Sequence, residues 1–522
     1  MPDKRKIVIV CANLHSDRVA QRDRHWLQPS AGLQIASQID RNAYDVTLYH
    51  EMWHGPLGVD VPAVDLVFLN GLQKDFDRQR QLAYLFKRKG AVTVAGGSIC
   101  TLFPSFAAEF FDVVCAGGVD SVRDVLSDFR NGELRSVYVS PQTRLTEYPI
   151  DYRLLTENDI GGPLHLIEAS RGCNFKCAFC SIPAENARHT RFGVERVIQM
   201  IDSAISASPP LSLRRLYPSI SFIDNNFANN RAYARELVSA LAAHRRVRAW
   251  AALVTQEVLA DHDFIAEMAR GKCRGLFVGI ESLDPEFLDA HNKRQNSRNA
   301  ESLFQDVAFA QRQGIALAYG YLFDPRMSTI DQMTAQMQAL LRSDALPFPS
   351  YFSFVSPLAG TPLFWESLDR GELRPGLRLR DLDAMSIAYR NCLSSDAELS
   401  QFARKVYKDP AAVIGRRGIA MKAVRGVLKG HGGKVLPNLI SIGNNYRVLS
   451  LSRRSSEDPG RNYIGGQDVL DPQYTWYPGD ISGQDRRRFF DPVLITDDNG
   501  RSAPWVAAAR PPGNMAGQPT LT

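Results

Sequence analysis

The sequence predicts an α/β chain: a doubly wound parallel sheet, then a partial (β/α)6 barrel, then a mainly helical and irregular C-terminal region. Three observations predict it. Over the first ~150 residues, short runs rich in Val, Ile and Leu alternate with helix-length amphipathic stretches, the pattern of βαβ units. A second, longer series of such units follows a polar stretch holding Pro141 and Pro149. After Leu373 the alternation fades.

In the first series the predicted strands are Lys6–Ala12, Asp45–Tyr49, Asp65–Leu69, Ala91–Ala95 and Asp112–Ala116. Predicted helices between them include Gly32–Ile39, Arg78–Lys89 and Ser121–Phe129. Strands buried on both faces read as continuous apolar runs, and these do. Residues 1–150 are thus expected to form a Rossmann-like doubly wound sheet, which would take ligands at the carboxyl ends of its strands. Residues 140–160 read as a linker.

The second series gives strands Leu164–Glu168, Ser219–Phe222, Ala249–Leu253, Gly275–Gly279, Ala316–Leu322 and Ser350–Val355, with helices such as Arg231–Ala243 and Ala300–Gln313. Six βα units over residues 160–370 make a partial TIM-type barrel. Helical segments are expected near Arg380–Tyr407 and Ala411–Leu428, within a C-terminal region of residues 371–510 that caps the barrel mouth and sets specificity. The tail 511–522, Pro-Pro-Gly-Asn-Met-Ala-Gly-Gln-Pro-Thr-Leu-Thr, is expected to be disordered.

Bulk properties narrow the function classes. A chain of 522 residues is too long for one core. The hydrophobic fraction of 44% and net charge of +6 are ordinary and do not call for a nucleic-acid partner. Of eight cysteines, three fall within eight residues, which indicates a reducing compartment and a metal site and not a disulfide framework. The apolar run Ile7–Ala12 is too short for a signal peptide, and no stretch approaches the ~18 residues of a membrane span. A cytoplasmic protein is expected.

The chemistry concentrates in Arg171-Gly-Cys-Asn-Phe-Lys-Cys-Ala-Phe-Cys180. Three thiolates at C-x3-C-x2-C spacing, Cys173, Cys177 and Cys180, can hold three irons of a cubane. The fourth iron is left open, as a catalytic metal centre requires. The competing reading is a zinc knuckle, but zinc wants four ligands and the nearest candidate, His189, is nine residues on.

This motif, with its preceding strand and following helix, resembles the radical S-adenosylmethionine (SAM) superfamily. Three further stretches carry the resemblance: Phe222-Ile-Asp-Asn-Asn-Phe227, Gly275-Leu-Phe-Val-Gly-Ile-Glu-Ser-Leu283 and Ser356-Pro-Leu-Ala-Gly-Thr-Pro-Leu363. The resemblance implies a [4Fe–4S] cluster on the three cysteines and SAM on the open iron, cleaved to a 5′-deoxyadenosyl radical. It also implies SAM contacts from Asn225 or Asn226 and from Glu281, while Asp224 is read as a turn cap. Asp324-Pro325 departs from the family's Gly-rich turn.

The first domain resembles the B12 (cobalamin)-binding domain of one large radical SAM subgroup. The matching stretches are Pro29-Ser-Ala-Gly-Leu-Gln-Ile-Ala36, Tyr44-Asp-Val-Thr-Leu48, Ala91-Val-Thr-Val-Ala-Gly-Gly-Ser98 and Val113-Val-Cys-Ala-Gly-Gly118. The resemblance implies cobalamin contacts from Gly96, Gly97, Ser98 and Gly117. The D-x-H-x-x-G motif of other B12 proteins is absent, and His15 is only an echo of it.

The two resemblances together imply cobalamin-dependent methylation of an unactivated carbon on a small-molecule or lipid biosynthetic intermediate. A reductase or flavodoxin-type protein would supply electrons. Three readings compete with it. A cobalamin-independent radical cyclisation, rearrangement or oxidation needs only the barrel. A methylthiotransferase acting on RNA or protein is suggested by Cys180-Ser-Ile-Pro183, but it needs a second cluster, and Asn70-Gly71 and Gly96-Gly97 stand where further cysteines are expected. A non-catalytic B12 or redox sensor would not need the cysteine motif intact. The basic stretch Arg404–Lys434 reads first as a solvated helix face and second as a contact for RNA or an anionic membrane surface. Tyr474, Trp476 and Tyr477 are candidate pocket aromatics.

Overall fold

The computed structural model describes residues 4–14, 28–141, 148–185, 188–296, 300–343, 346–347, 349–408, 463–467 and 476–510. His15, the segment Ala411–Leu428, most of Arg404–Lys434, Tyr474 and the tail 511–522 lie outside the described residues.

The N-terminal sheet has six parallel strands: β1 (Arg5–Cys11), β2 (Tyr44–His50), β3 (Leu66–Asn70), β4 (Val92–Ala95), β5 (Val113–Gly117) and β6 (Val137–Ser140). Their order is β2-β1-β3-β4-β5-β6. The chain winds both ways from β1, so the carboxyl ends of β1 and β3 flank the switch point where such sheets take ligands. β3 is buried at every residue, as its apolar run Leu-Val-Phe-Leu dictates. All five predicted strands are present. β6 lies where a linker begins in the sequence reading, and Tyr152, Leu154, Leu155 and Ile160 beyond it are buried. Much of that segment is docked onto the core, because its apolar side chains have a surface to cover.

The second sheet is also six-stranded and parallel, in the order β14-β13-β12-β11-β10-β7. Its strands are β7 (His165–Ile167), β10 (Ser219–Phe222), β11 (Ala249–Thr255), β12 (Cys273–Glu281), β13 (Ala316–Phe323) and β14 (Tyr351–Phe354). A two-residue ribbon, β8 (Ser170–Arg171) with β9 (Thr190–Arg191), lies between the first two. Parallel strands in sequential order are the partial barrel that six βα units predict.

Alternation along the strands sorts core from lumen. On β11, Trp250, Ala252 and Val254 are buried against the helices, while Ala249 and Ala251 are half-buried and Leu253 exposed on the other face. The lumen face carries small residues, including Ala251, Gly275 and Ala318. At Gly320 the Tyr351 ring lies so close that a Cβ would sit 2.3 Å from its Cζ.

The C-terminal region differs from the sequence reading. Helix begins only at Asp396 (Asp396–Lys408); residues 382–395 are irregular apart from an isolated bridge partner at Tyr389 and Ile387. The described residues 476–510 pack against the N-terminal domain and against the chain that follows β14, where Leu379 N donates to the Val493 carbonyl and Ile495 N to the Leu377 carbonyl. Trp505 stacks on Phe106 at 4.2 Å. Arg80 donates to the Asp491 and Arg488 carbonyls, and Val493 N donates to Asp77. Trp476 and Tyr477 are surface residues. No helix among the described residues is long and apolar enough to cross a membrane.

Candidate functional site

The cysteines lie on a loop that the β8–β9 ribbon closes at its base. Gly172 opens the loop at φ +86°, and a Cβ there would stand 2.6 Å from the Arg188 carbonyl oxygen, so only glycine fits. Neighbouring strand ends hold the loop from outside. Gly172 N donates to Asn225 Oδ1 (2.9 Å) and Asn174 N to Asn229 Oδ1 (3.0 Å). Asn292 Nδ2 donates to the Lys176 carbonyl (2.7 Å), and Ala178 N to the His291 carbonyl (2.9 Å). Leu363 N, after β14, donates to the Ala178 carbonyl (3.0 Å). A loop with few bonds of its own is thereby preorganised.

Cys177 is buried, and Cys173 and Cys180 are half-buried. Burial raises the Cys173 thiol and pushes Cys180 up to about 12, with the mutual repulsion of neighbouring thiolates adding to both. The three are therefore within electrostatic reach of one another. Among the described residues, however, no three His, Cys, Asp or Glu side chains converge on a point that one ion would occupy. Three thiols on one loop, within reach of one another, can each take one iron of a cluster.

A second observation bears on the same rim. Asn226 Oδ1, Asn229 Nδ2, Thr255 Oγ1, Asn296 Oδ1 and Ser356 Oγ are buried and lack a hydrogen-bond partner in the protein. They sit just past β10, at the end of β11, beside the end of β12 and just past β14. Buried polar atoms are rarely left unmet, and five at one end of one barrel fit a polar ligand such as SAM.

Glu281 ends β12 at φ +61°, beside a register shift between Val278 and Glu281. A side chain held in that region is strained, as at many binding sites. It is not a free carboxylate: Lys293 Nζ lies 3.0 Å from Oε1, and both side chains are largely buried. Burial lowers the Lys293 ammonium, but Glu281 and the charges of Cys177 and Cys180 outweigh it and the net shift is upward. The Lys293 segment also supplies Asn296, which donates to the Gly279 and Ile280 carbonyls at 2.7 Å each, and Gln295, which reaches Cys177 Sγ at 3.2 Å. The sequence reading missed this run. Its signal was six consecutive polar residues, His291–Asn296, ten positions past Glu281.

Asn225 binds the cysteine loop, so its oxygen is already engaged, whereas Asn226 is buried with its oxygen open. Asp224 is buried and accepts from Ala169 N (2.8 Å) and Ser170 Oγ (2.6 Å), tying β10 to β8 rather than capping its own turn. Burial pushes its carboxyl up to about 7. Asp324, where the Gly-rich turn was missing, is a buried anchor. It takes His291 Nε2 at 3.1 Å and two bonds from Arg326, and Arg326 continues to Glu372 at 2.8 Å. These partners hold the Asp324 carboxyl down, to about 2, against a desolvation that would raise it. Through His291 the network reaches the cysteine loop.

The N-terminal sheet presents its glycine loops to this rim. Gln73, past β3, exchanges two hydrogen bonds with Ala359, past β14 (3.1 and 3.0 Å). Ser98, at the end of the β4 loop, lies beside Glu185, which follows the cysteine loop and which burial shifts upward. Gln34 bonds both Glu168 and Arg171. The two strand-end rims thus face each other. Gly97 (φ +110°) meets Gly71, whose carbonyl oxygen would lie 2.4 Å from a Cβ. Its lack of a side chain is therefore required by its neighbouring loop. Gly96 differs: a Cβ there would meet only the Cys115 carbonyl oxygen at 3.8 Å and stand in open space. Gly117 has φ +95°, and Leu72, past β3, is 64% exposed. A bare backbone beside an exposed leucine at a switch point fits a broad, flat ligand.

Residues 167–307 match the Radical SAM superfamily. The chain is 25% identical over 335 residues to the bacteriochlorophyllide d C-12(1)-methyltransferase of Chlorobaculum tepidum, covering 63% of this chain and 71% of that one. It is 24% identical over 353 residues to the hopanoid C-2 methylase of Rhodopseudomonas palustris, covering 66% and 64%. Its fold is like that of the radical S-adenosylmethionine methyltransferase TsrM from Kitasatospora setae, solved with cobalamin and a [4Fe–4S] cluster bound. The TM-score is 0.54 at 18% identity, over 72% of this chain and 80% of that one.

Proposed function

We propose, from the premise that this chain is a radical SAM enzyme, that it methylates an unactivated carbon of a small-molecule or lipid intermediate with the help of cobalamin. One observation carries the reading: the cysteine loop and the glycine loops of the N-terminal sheet face each other, joined by the paired bonds of Gln73 and Ala359, with Ser98 beside Glu185. Relatives named for methylating carbons of a bacteriochlorophyllide and a hopanoid support it, as does a fold neighbour that holds both cofactors.

In this reading Cys173, Cys177 and Cys180 hold the [4Fe–4S] cluster. Asn226, Thr255, Asn296 and Ser356 meet the polar groups of SAM with atoms that have no other partner. Lys293 neutralises Glu281 and lies beside the thiolates, so it offsets negative charge at the cluster. Gly96, Gly117, Leu72 and Ser98 receive the corrinoid. When bound, these groups supply a carbon-centred radical and a methyl donor. The protein's part is to hold them on opposite sides of one cleft, shielded from water.

The reading is tested by incubating the anaerobically reconstituted protein with SAM, a low-potential reductant and candidate intermediates, with and without hydroxocobalamin. Formation of 5′-deoxyadenosine and S-adenosylhomocysteine with a methylated product, all dependent on cobalamin, is expected. 5′-Deoxyadenosine that forms equally well without cobalamin, with no methyl transfer, would reassign the enzyme to another radical outcome.

A further inference from the structure

The opposite end of the barrel carries a surface that the reaction does not use. The segment Ser208-Pro-Pro-Leu-Ser-Leu-Arg-Arg-Leu-Tyr217 leads into β10, at the amino ends of the strands. Four of its large apolar side chains face solvent: Leu211 (89% exposed), Leu213 (64%), Leu216 (63%) and Tyr217 (53%). Single exposed leucines are unremarkable, but four within seven residues form a patch that calls for a partner. The segment is not loosely held. Arg214 is buried with its carbonyl oxygen on His165 Nε2 (3.0 Å), and the Arg215 guanidinium bonds the Ser206 and Ser208 carbonyls (2.7 and 3.1 Å). The apolar side chains are thus displayed by an anchored turn.

Arginines surround them. The loop entering β11 carries Arg245, Arg246 and Arg248, and Arg248 N bonds the Pro218 carbonyl (2.9 Å), which places that loop against the patch. The loop entering β12 adds Arg270, Lys272 and Arg274, and Lys272 Nζ bonds the His244 carbonyl (2.7 Å). Arg215, Arg245, Arg248, Arg270 and Arg274 are exposed. Asp202 is the carboxylate paired on this face, with His244 and Arg246.

We infer that this face docks on an anionic lipid bilayer, with the leucines and Tyr217 entering the interface and the arginines meeting lipid phosphates. Exposed aliphatic side chains ringed by arginine match that interface on both counts. A nucleic acid would meet the arginines but has no use for three displayed leucines. A second copy of this face would bring like charges together. Docking this way leaves the cysteine loop at the other end of the strands, away from the membrane.

The experiment is co-sedimentation of the full chain with vesicles of phosphatidylcholine alone or with phosphatidylglycerol, at low and high salt. Binding to the phosphatidylglycerol vesicles only, at least about tenfold weaker in high salt, is expected. Leu211→Ser/Leu213→Ser/Leu216→Ser and, separately, Arg245→Glu/Arg248→Glu should each lower binding about tenfold or more while keeping the melting temperature, since these side chains are exposed. Failure of the wild type to sediment with either vesicle would overturn the inference. So would vesicle binding unchanged in both variants, or binding to single-stranded RNA that the arginine variant loses and the leucine variant keeps. The result does not depend on which reaction the barrel performs.

Discussion

The rim of the barrel is built from bonded, charged side chains, whereas the N-terminal sheet faces it with loops in which glycine recurs. Around the cysteine loop stand Asp224, Glu281 with Lys293, and Asp324 with His291 and Arg326, each buried or largely so and each bonded to a neighbour. Along the facing loops of the N-terminal sheet stand Gly71, Gly96, Gly97 and Gly117, beside the exposed Leu72. The first arrangement suits a compact, charged group whose position must be fixed. The second suits a large group recognised by shape. Substitutions should therefore act differently on the two sides.

The largest effect is expected on the barrel rim. Cys177→Ala should abolish retention of iron after anaerobic reconstitution, measured by iron and sulfide content, while leaving the fold intact by circular dichroism. Full iron in that variant would break the assignment of the loop. Next comes Asp324→Ala. It leaves Arg326 with only Glu372 and orphans His291 in a buried site, so urea denaturation should show a loss of about 3–5 kcal/mol. A loss under about 1 kcal/mol would mean that the network is not what holds the β13 end.

The backbone rim is sharpened by a pair of glycines. Gly97→Ala forces a positive φ and a clash with Gly71, which should cost about 1–3 kcal/mol from strain alone. Gly96→Ala should cost less than about 1 kcal/mol, because its methyl stands in open space. If that space is the corrinoid cradle, Gly96→Ala should nonetheless weaken cobalamin retention, read from the visible spectrum of the desalted protein. Unchanged retention would place the ligand elsewhere.

The last effect is a pH dependence. Folding raises the Asp224 carboxyl from 3.8 to about 7. A raised carboxyl stabilises the fold fully below its unfolded value, and that contribution is lost as pH rises through the folded one. The wild type should thus lose about 2 kcal/mol more than Asp224→Asn between pH 5.5 and pH 8. Parallel stability curves for the two proteins would remove the assignment.

The same contrast explains what the sequence disclosed. Strands such as Leu66–Asn70 were legible because burial on both faces leaves an unbroken apolar run. β6 was not, because its residues alternate between buried and exposed and it lies at the sheet edge beside a polar stretch. The cysteines were legible because their spacing is itself the chemistry. Lys293, Asp324 and Glu185 were not, because each acts through a partner distant in sequence, and no local pattern marks a contact made by folding. The glycine loops were legible as glycines. Only the structure separates Gly97, which is required by Gly71, from Gly96, which faces open space. The docking of Trp505 and Phe489 on the N-terminal domain was not legible, because apolar residues need a surface and their sequence does not say which one.

The central claim is that two facing rims hold two different cofactors. Its most direct test is to reconstitute the protein anaerobically with iron, sulfide and hydroxocobalamin, desalt it, and measure iron and corrinoid together. About four irons and one corrinoid per chain are expected, with iron lost but corrinoid kept in Cys177→Ala. Four irons without any retained corrinoid, in protein that is folded, would contradict the claim.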